Sequence, residues 1–175
     1  MHSAAKIYFP KCLCYNDKNH RNLTFLIIVL SFWRGELINM KRILLNGNWD
    51  GACFAADGKQ EFAFSGKVPG CVHTDIAGIH IPADIFYRDN ADACQWIEDR
   101  DWQYSRSFTI ETLPKKASLV FEGLDTYADI YLNGKLLAST ENMFIRHSFD
   151  VSSLLCEGEN SLRIYFHSPV RMVEG

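Results

Sequence analysis

Three carboxylates, Glu98, Asp99 and Asp101, crowd into four residues around Arg100. Two carboxyl groups are what glycosidic hydrolysis needs, set about 5 Å apart for retention of configuration and roughly 6.5 to 9.5 Å apart for inversion. The same cluster also suits an acidic turn at a strand entrance, solvated or paired with Arg100. That is the expected role, because exposed ion pairs of this kind are common and weak. Trp96, Trp102 and Tyr127 are large enough to stack on a sugar ring. Arg106, the lone cation on an aromatic strand face, is placed to meet a ligand or a neighbouring domain. These four residues mark a candidate sugar-side or interdomain surface. The competing expectation is packing for the aromatics and, for Arg106, stacking on Trp102 or Tyr104 with a carboxylate partner. His73, His80, His147 and His167 show no HxH or HxxxH spacing, so no metal site is expected. No glycine-rich loop leads from a strand into a helix, so no phosphate-bearing cofactor is expected.

The elements that must position these groups are strands. Ser118 to Ala138 organises the chain. Leu119, Val120 and Phe121 form an apolar run, and Ala128, Ile130 and Leu132 then alternate with Tyr127, Asp129 and Tyr131, a period of two that makes a strand with two unlike faces. Asn133-Gly134 predicts a type I′ turn, because both residues tolerate positive φ, and Lys135 to Ser139 returns. Trp102, Tyr104, Arg106 and Phe108 share one face of another strand, with Gln103, Ser105, Ser107 and Thr109 on the other. Leu162, Ile164 and Phe166 alternate with Arg163, Tyr165 and His167. Shorter strands are expected over Arg42 to Asp50, Glu61 to Phe64 and Phe144 to Val151, with turns at Pro114-Lys115-Lys116 and at Glu157 to Asn160. Val68-Pro69-Gly70 is a turn. Cys71 to Gly78 predicts one or two helical turns closed by Gly78, and Ala93 to Ile97 a further short turn. The whole reads as an all-β antiparallel sandwich of jelly-roll type.

With 175 residues, 47% hydrophobic and 22% charged, the chain is one domain's worth of ordinary globular composition. A net charge of -3 leaves no basic footprint for nucleic acid or an anionic membrane. Six cysteines, at 12, 14, 53, 71, 94 and 156, form no CxxC pair. That scatter fits reduced, packed thiols better than a disulfide framework, and Cys12-Leu13-Cys14 is two thiolates short of a metal ligand set. Residues 1–39 read differently from the rest. Lys11, Lys18 and Arg21 precede the apolar run Leu23 to Trp33, which is too short to cross a bilayer as a helix, a span taking about 20 residues. It has the length of a signal-peptide core without the small-x-small cleavage site, and Asn22-Leu23-Thr24 is a sequon. Three readings stand: an extension upstream of a true start at Met40, an uncleaved anchor or signal, or a folded part of the domain. The first is the expectation, which divides the chain into an extension, 1–39, and a domain, 40–175. Unpaired cysteines point to the cytoplasm, while Leu23 to Trp33 points to export.

Four separated segments carry a resemblance: VPGCVHTDIAGIHIPADIFYRDN, WIEDRDWQYSRSF, FEGLDTYADIYLNGKLL and HSPVR. In this order they resemble the N-terminal, galactose-binding-like domain of β-mannosidases, in the glycoside hydrolase family that also holds β-galactosidase and β-glucuronidase. The resemblance runs from Leu45 to about Met172. It implies a parent enzyme that removes terminal non-reducing β-D-mannose with retention, using two glutamates on a (β/α)₈ barrel and neither metal nor organic cofactor. It also implies that the barrel, the sandwich's closing strands and a sugar-contacting Trp-Asp-Trp-Gly element lie beyond this chain, leaving an incomplete sandwich with no catalytic residue of its own. Its partners would be that barrel and, through it, β-mannoside glycans. The alternatives are an autonomous carbohydrate-binding module and a gene fragment with no separate function.

Overall fold

The computed structural model describes residues 26–34 and 37–174, with side chains from 41 to 173. Among the described residues, ten strands lie in two antiparallel sheets. Strands β1 (Leu26–Arg34), β2 (Leu37–Leu44), β6 (Lys116–Phe121) and β9 (His147–Asp150) make a four-stranded sheet in the order β2-β1-β6-β9. A six-stranded sheet in the order β4-β3-β5-β10-β7-β8 is made by β3 (Gly47–Phe54), β4 (Gln60–Val68), β5 (Asp101–Ile110), β7 (Ala128–Leu132), β8 (Lys135–Thr140) and β10 (Gly158–Phe166). The helical pieces are α1 (Val72–Ile76), a run of 3₁₀ turns over Arg88–Asp99, and α2 (Pro169–Glu174). The expected all-β sandwich is therefore the fold.

Registry follows the side-chain period. Phe62, Cys53, Trp102, Phe166 and Ala128 stand opposite one another across the large sheet, and Phe64, Gly51, Tyr104, Ile164 and Ile130 form the next row. Every second residue of β7 and β10 is buried, as alternation requires of a sheet with one covered face. Ala117, Leu119 and Phe121 of β6 join the same core from the small sheet. Val72, Ile76, Ile81, Cys94 and Ile97 join it from the connection between β4 and β5. That connection therefore roofs part of the large sheet. Its anchors are the polar tips of the aromatics beneath it: Trp102 Nε1 donates to Ile97 O at 3.1 Å, and Tyr104 OH donates to Asp75 Oδ2 at 2.7 Å. Asp75 Oδ1 in turn accepts Lys67 N–H at 3.2 Å.

Asn133 and Gly134 both take positive φ, 51° and 76°, as the type I′ turn demands. Asn133 does more than turn: its amide donates to Leu154 O and Asn160 Oδ1 and its oxygen accepts Ser161 N–H. Gly78 has φ 74°, but α1 ends at Ile76 and Ala77 is already extended, so the glycine serves the turn after the helix. The strand expected over Arg42 to Asp50 is two strands broken at Leu45-Asn46. The turn expected over Glu157 to Asn160 is shorter, since β10 opens at Gly158. The Phe144 to Val151 strand shrinks to β9. The boundary expected between residues 39 and 40 falls inside β2, and β1, from the apolar run assigned to the extension, pairs with both β2 and β6. An unbroken apolar run has no period to distinguish a covered strand from a signal core. Cys12, Cys14, Lys11, Lys18, Arg21 and the Asn22 sequon lie outside the described residues. Of the described cysteines, Cys53, Cys71 and Cys156 are free thiols. At Cys53 burial and the neighbouring Glu61 push the thiol up to about 12, leaving it unreactive.

Two consequences are open to measurement. A Cβ on Gly51 would lie 2.3 Å from the Phe64 ring, which is itself packed edge-on against Trp102 and Tyr104. Gly51→Ala is expected to lower stability by about 1–3 kcal/mol in denaturant unfolding; an unchanged midpoint would refute the packing. His73 is buried with Nδ1 lacking a partner, and burial lowers its pKa from 6.5. The unfolded chain therefore binds the proton more readily, so stability is held above pH 6.5 and lost as pH falls through the depressed folded pKa. His73→Phe should flatten the stability slope between about pH 7 and about pH 5, and equal slopes in the two proteins would rule out this role.

Candidate functional site

The acidic cluster is a fastening. Asp101, the first residue of β5, is 7% exposed. Its Oδ1 accepts Ser168 N–H at 2.7 Å and the Arg171 guanidinium, and its Oδ2 accepts Tyr165 OH at 3.0 Å. Arg171 Nη1 donates to Asp99 O at 2.7 Å, and Ser168 Oγ donates to Glu98 O at 2.7 Å. Ser168 also caps α2, its Oγ accepting Arg171 N–H, and Pro169 sits at the first helical position where its missing N–H is harmless. Burial, then the Asp101 charge, push the Tyr165 phenol up to about 12, so it remains a donor. The expected partner of the cluster, Arg100, instead binds Glu61 at 2.7 Å, and the hydrogen bond from its guanidinium holds Glu61 below the usual carboxylate range. The carboxylate of Asp101 is thus taken up by the sequence motif HSPVR, to which Glu98 and Asp99 contribute only their backbone carbonyls.

Of the four candidate surface residues only Trp96 and Trp102 are brought together. Trp102 is 1% exposed and belongs to the core, which corrects its place on a sugar-side surface: its β5 face is the covered one. Trp96 is half-buried, 6.0 Å from Trp102 between ring centroids. Arg106 lies four residues along β5. Its Nη1 donates to Leu45 O at 3.0 Å and Asn46 O at 2.6 Å, beside Trp49 Nε1, which also donates to Leu45 O. The break between β2 and β3 leaves carbonyls without strand partners, and these, not a carboxylate, are what the guanidinium satisfies. Tyr127 is half-buried and faces elsewhere.

Tyr127 lines an open cleft of about 300 Å³ with Asp129, Ser139, Glu141, His167 and Met172. The floor is built by strand pairing: Asp129 of β7 stands opposite Ser139 of β8, and His167 follows the last residue of β10, its N–H bonded to Tyr127 O at 2.9 Å. Asp129 Oδ1 accepts the Ser139 hydroxyl, and Oδ2 faces His167 Nε2 at 2.9 Å. Burial opposes ionisation of Asp129, but the hydrogen bonds from Ser139 and His167, with the His167 charge, outweigh it and hold the carboxyl below its ordinary range. A carboxylate so held accepts hydrogen bonds and is unsuited to donate a proton. Glu141 stands exposed at the rim. The alternation on β7 placed Asp129 on the polar face, yet the meeting with His167 depends on the β7–β10 register, which no local pattern states. Among the described residues, no group of three His, Cys, Asp or Glu side chains is placed to hold a metal ion.

Residues 53–174 match the family model described as glycosyl hydrolase 2 galactose-binding domain-like. The chain is 32% identical over 151 residues to the β-mannosidase of Capra hircus, covering 85% of this chain and 17% of that protein. It is 31% identical over 156 residues to the β-mannosidase of Mus musculus, covering 87% of this chain and 17% of that protein. The crystal structure of β-D-mannosidase from Dictyoglomus thermophilum is similar at 41% identity with a TM-score of 0.68, covering 74% of this chain and 16% of that one. The chain thus spans about a sixth of the length of these relatives.

The Asp101 fastening makes its own prediction. Arg171→Ala leaves a buried carboxylate short of its cationic partner and is expected to cost roughly 2 kcal/mol. That is below the range for fully buried pairs because the guanidinium is about a third exposed. Urea unfolding checks it, and a loss under about 0.5 kcal/mol would place the pair among inconsequential surface contacts.

Proposed function

The chain belongs to the galactose-binding domain-like family of glycosyl hydrolase 2, and from that premise we propose that it serves as the non-catalytic sandwich of a β-mannosidase-like glycoside hydrolase. The parent activity is hydrolysis of terminal non-reducing β-D-mannose with retention, carried out on a catalytic domain against which this sandwich packs. The observation that carries the reading is the fate of the acidic cluster. Asp101 has three donors from within the fold, and Glu98 and Asp99 lend their carbonyls to the fastening of α2. Asp129 is held ionised by its neighbours. The Asp101 carboxylate is taken up inside the fold, whereas a glycosidic acid pair has to face the scissile bond.

The surface supports the second half of the proposal. Phe144 is 79% exposed and Val173 75%, with Ile145 and Met172 also exposed. These residues lie on the segments that leave β8 and β10 at the same end of the large sheet. Large apolar side chains left exposed on both of these segments suit a contact with another protein surface.

The purified 175-residue chain is expected to release no aglycone from an aryl β-D-mannoside; turnover above background would overturn the reading. A chimera carrying residues 26–174 in place of the matching segment of the Dictyoglomus thermophilum enzyme, with the rest of that enzyme kept, should cleave the same substrate. Phe144→Asp with Val173→Asp should lower the chimera's melting temperature more than that of the isolated chain. Equal shifts in the two would remove the docking role.

A further inference from the structure

The turn between β7 and β8 carries a reactive pair that the fold holds still. Asparagine followed by glycine is the arrangement in which a side-chain amide is most easily lost, because no Cβ on the second residue shields its backbone nitrogen. The chain contains two such pairs, Asn46-Gly47 and Asn133-Gly134. At the second, Asn133 Oδ1 accepts Ser161 N–H at 2.9 Å, and Nδ2 donates to Leu154 O and to Asn160 Oδ1, each at 2.8 Å. The main-chain N–H of Asn133 also donates to Ser161 O at 2.8 Å. These partners lie on β10 and on the connection that leads to it from β9, and the side-chain bonds must break before the carboxamide is free to turn onto the Gly134 nitrogen. The receiving side cannot adapt. Asn160 is 1% exposed; its Oδ1 also accepts Cys156 N–H at 2.8 Å, and its Nδ2 donates to Cys156 O at 2.8 Å and Gly158 O at 3.1 Å. Reversing that amide would turn a nitrogen on Cys156 N–H and an oxygen on two carbonyls. A carboxylate at position 133 has no proton to offer, so it would set an oxygen against Leu154 O and Asn160 Oδ1 where two hydrogen bonds now stand.

We propose that Asn133 is a deamidation site guarded by the fold, at which loss of the amide follows opening of the hairpin and then bars its closure. In the opened chain Gly134 N gives up its proton and bonds to Asn133 Cγ, and the Cγ–Nδ2 bond breaks with release of ammonia. Water, the sole co-reactant, then opens the cyclic imide at one of its two carbonyls and leaves an aspartate or an isoaspartate. The aspartate meets the repulsion just described. The isoaspartate also adds a carbon to the backbone of a two-residue turn whose twist has to match the strands on either side. An unfolding event is thereby made irreversible through one residue. The inference uses only this turn and its partners and stands apart from the enzyme reading.

The test ages the 175-residue chain at mildly alkaline pH, in buffer and in urea, and maps it by tryptic digestion and mass spectrometry. Cleavage after Lys116 and Lys135 yields residues 117–135, in which Asn133 is the one asparagine, and cleavage after Arg42 and Lys59 yields residues 43–59, which carry Asn46-Gly47. Loss of the Asn133 amide is expected to be at least about tenfold slower in buffer than in urea. When urea-aged chain is refolded by dilution and fractionated by size exclusion, the acid form of 117–135 should collect in the fraction that does not refold, with 43–59 recording the time of exposure in both. Asn133→Asp installs the product directly and should lower the urea midpoint or prevent folding. Asn133→Gly keeps the positive φ without a carboxylate and should lose less. Equal rates in buffer and urea would remove the guard, and an equal share of the acid in both fractions would remove the bar. An Asn133→Asp midpoint at or above that of Asn133→Gly would show that the carboxylate is not what opposes closure.

Discussion

Buried aromatic side chains with polar tips constrain this molecule more than any other feature. Trp49, Trp102 and Tyr104 supply large areas to the core, yet each carries one N–H or O–H that cannot be left dry without a penalty of about 1–3 kcal/mol. The tips of Trp102 and Tyr104 reach Ile97 O and Asp75, both in the connection between β4 and β5, and that of Trp49 reaches Leu45 O at the entry to β3. The segment from α1 to the 3₁₀ run therefore lies on the sheet because two rings beneath it need partners, and its own Val72, Ile76 and Ile97 then complete the burial. Asp75 shows the tension. Burial raises its pKa while the Tyr104 and Lys67 hydrogen bonds lower it, with burial prevailing.

Two carboxylates of the chain have opposite settings and consequently different uses. Asp101 sits at the seam between β5 and α2, reached by donors from Ser168, Tyr165 and Arg171, so its capacity is spent inside the fold. Asp129 lies on the solvent side of the same sheet, on an adjacent pair of strands, with one donor per oxygen and an open cleft before it. Residue type and sequence neighbourhood favoured Asp101 for chemistry. Asp129 instead stays at the edge of an open cleft, fixed by one neighbour on each oxygen.

What was legible in the sequence is what depends on neighbours in the chain. Alternation over Ala128 to Leu132 and Leu162 to Phe166 and the Asn133-Gly134 turn could be read locally, and with the Trp102 to Phe108 face they were enough for a sandwich. Partners set by register were not. The pairing of Arg106 with the carbonyls of Leu45 and Asn46 joins residues about 60 apart, and that of Asp101 with Ser168 joins residues 67 apart. Nearest-neighbour reasoning gave Arg106 a carboxylate and left the acidic cluster to solvent or to Arg100; exposed Asp99 fits the solvated case, while Asp101 is taken up by Ser168, Tyr165 and Arg171. Where the apolar pattern had no period, as in Leu23 to Trp33, strand and signal core were equally served.

The motifs that carried the family resemblance turn out to meet one another. WIEDRDWQYSRSF contributes Asp101 and Tyr104, VPGCVHTDIAG contributes Asp75, and HSPVR contributes Ser168 and Arg171; these residues bond across the motifs. Such spacing follows from a scaffold whose long-range joints each need a specific donor and acceptor, and it would persist in a domain that performs no chemistry. The motif residues thus say where this fold is fastened. Asp129, Tyr127 and His167, which line the open cleft, lie at the end of the large sheet from which the segments carrying exposed Phe144 and Val173 leave. A sandwich rigid at its seams and apolar at one end can hold a small polar cleft in place beside whatever surface covers that end, and the fastening at Asp101 sets the position of α2, and with it Met172, at the cleft's edge.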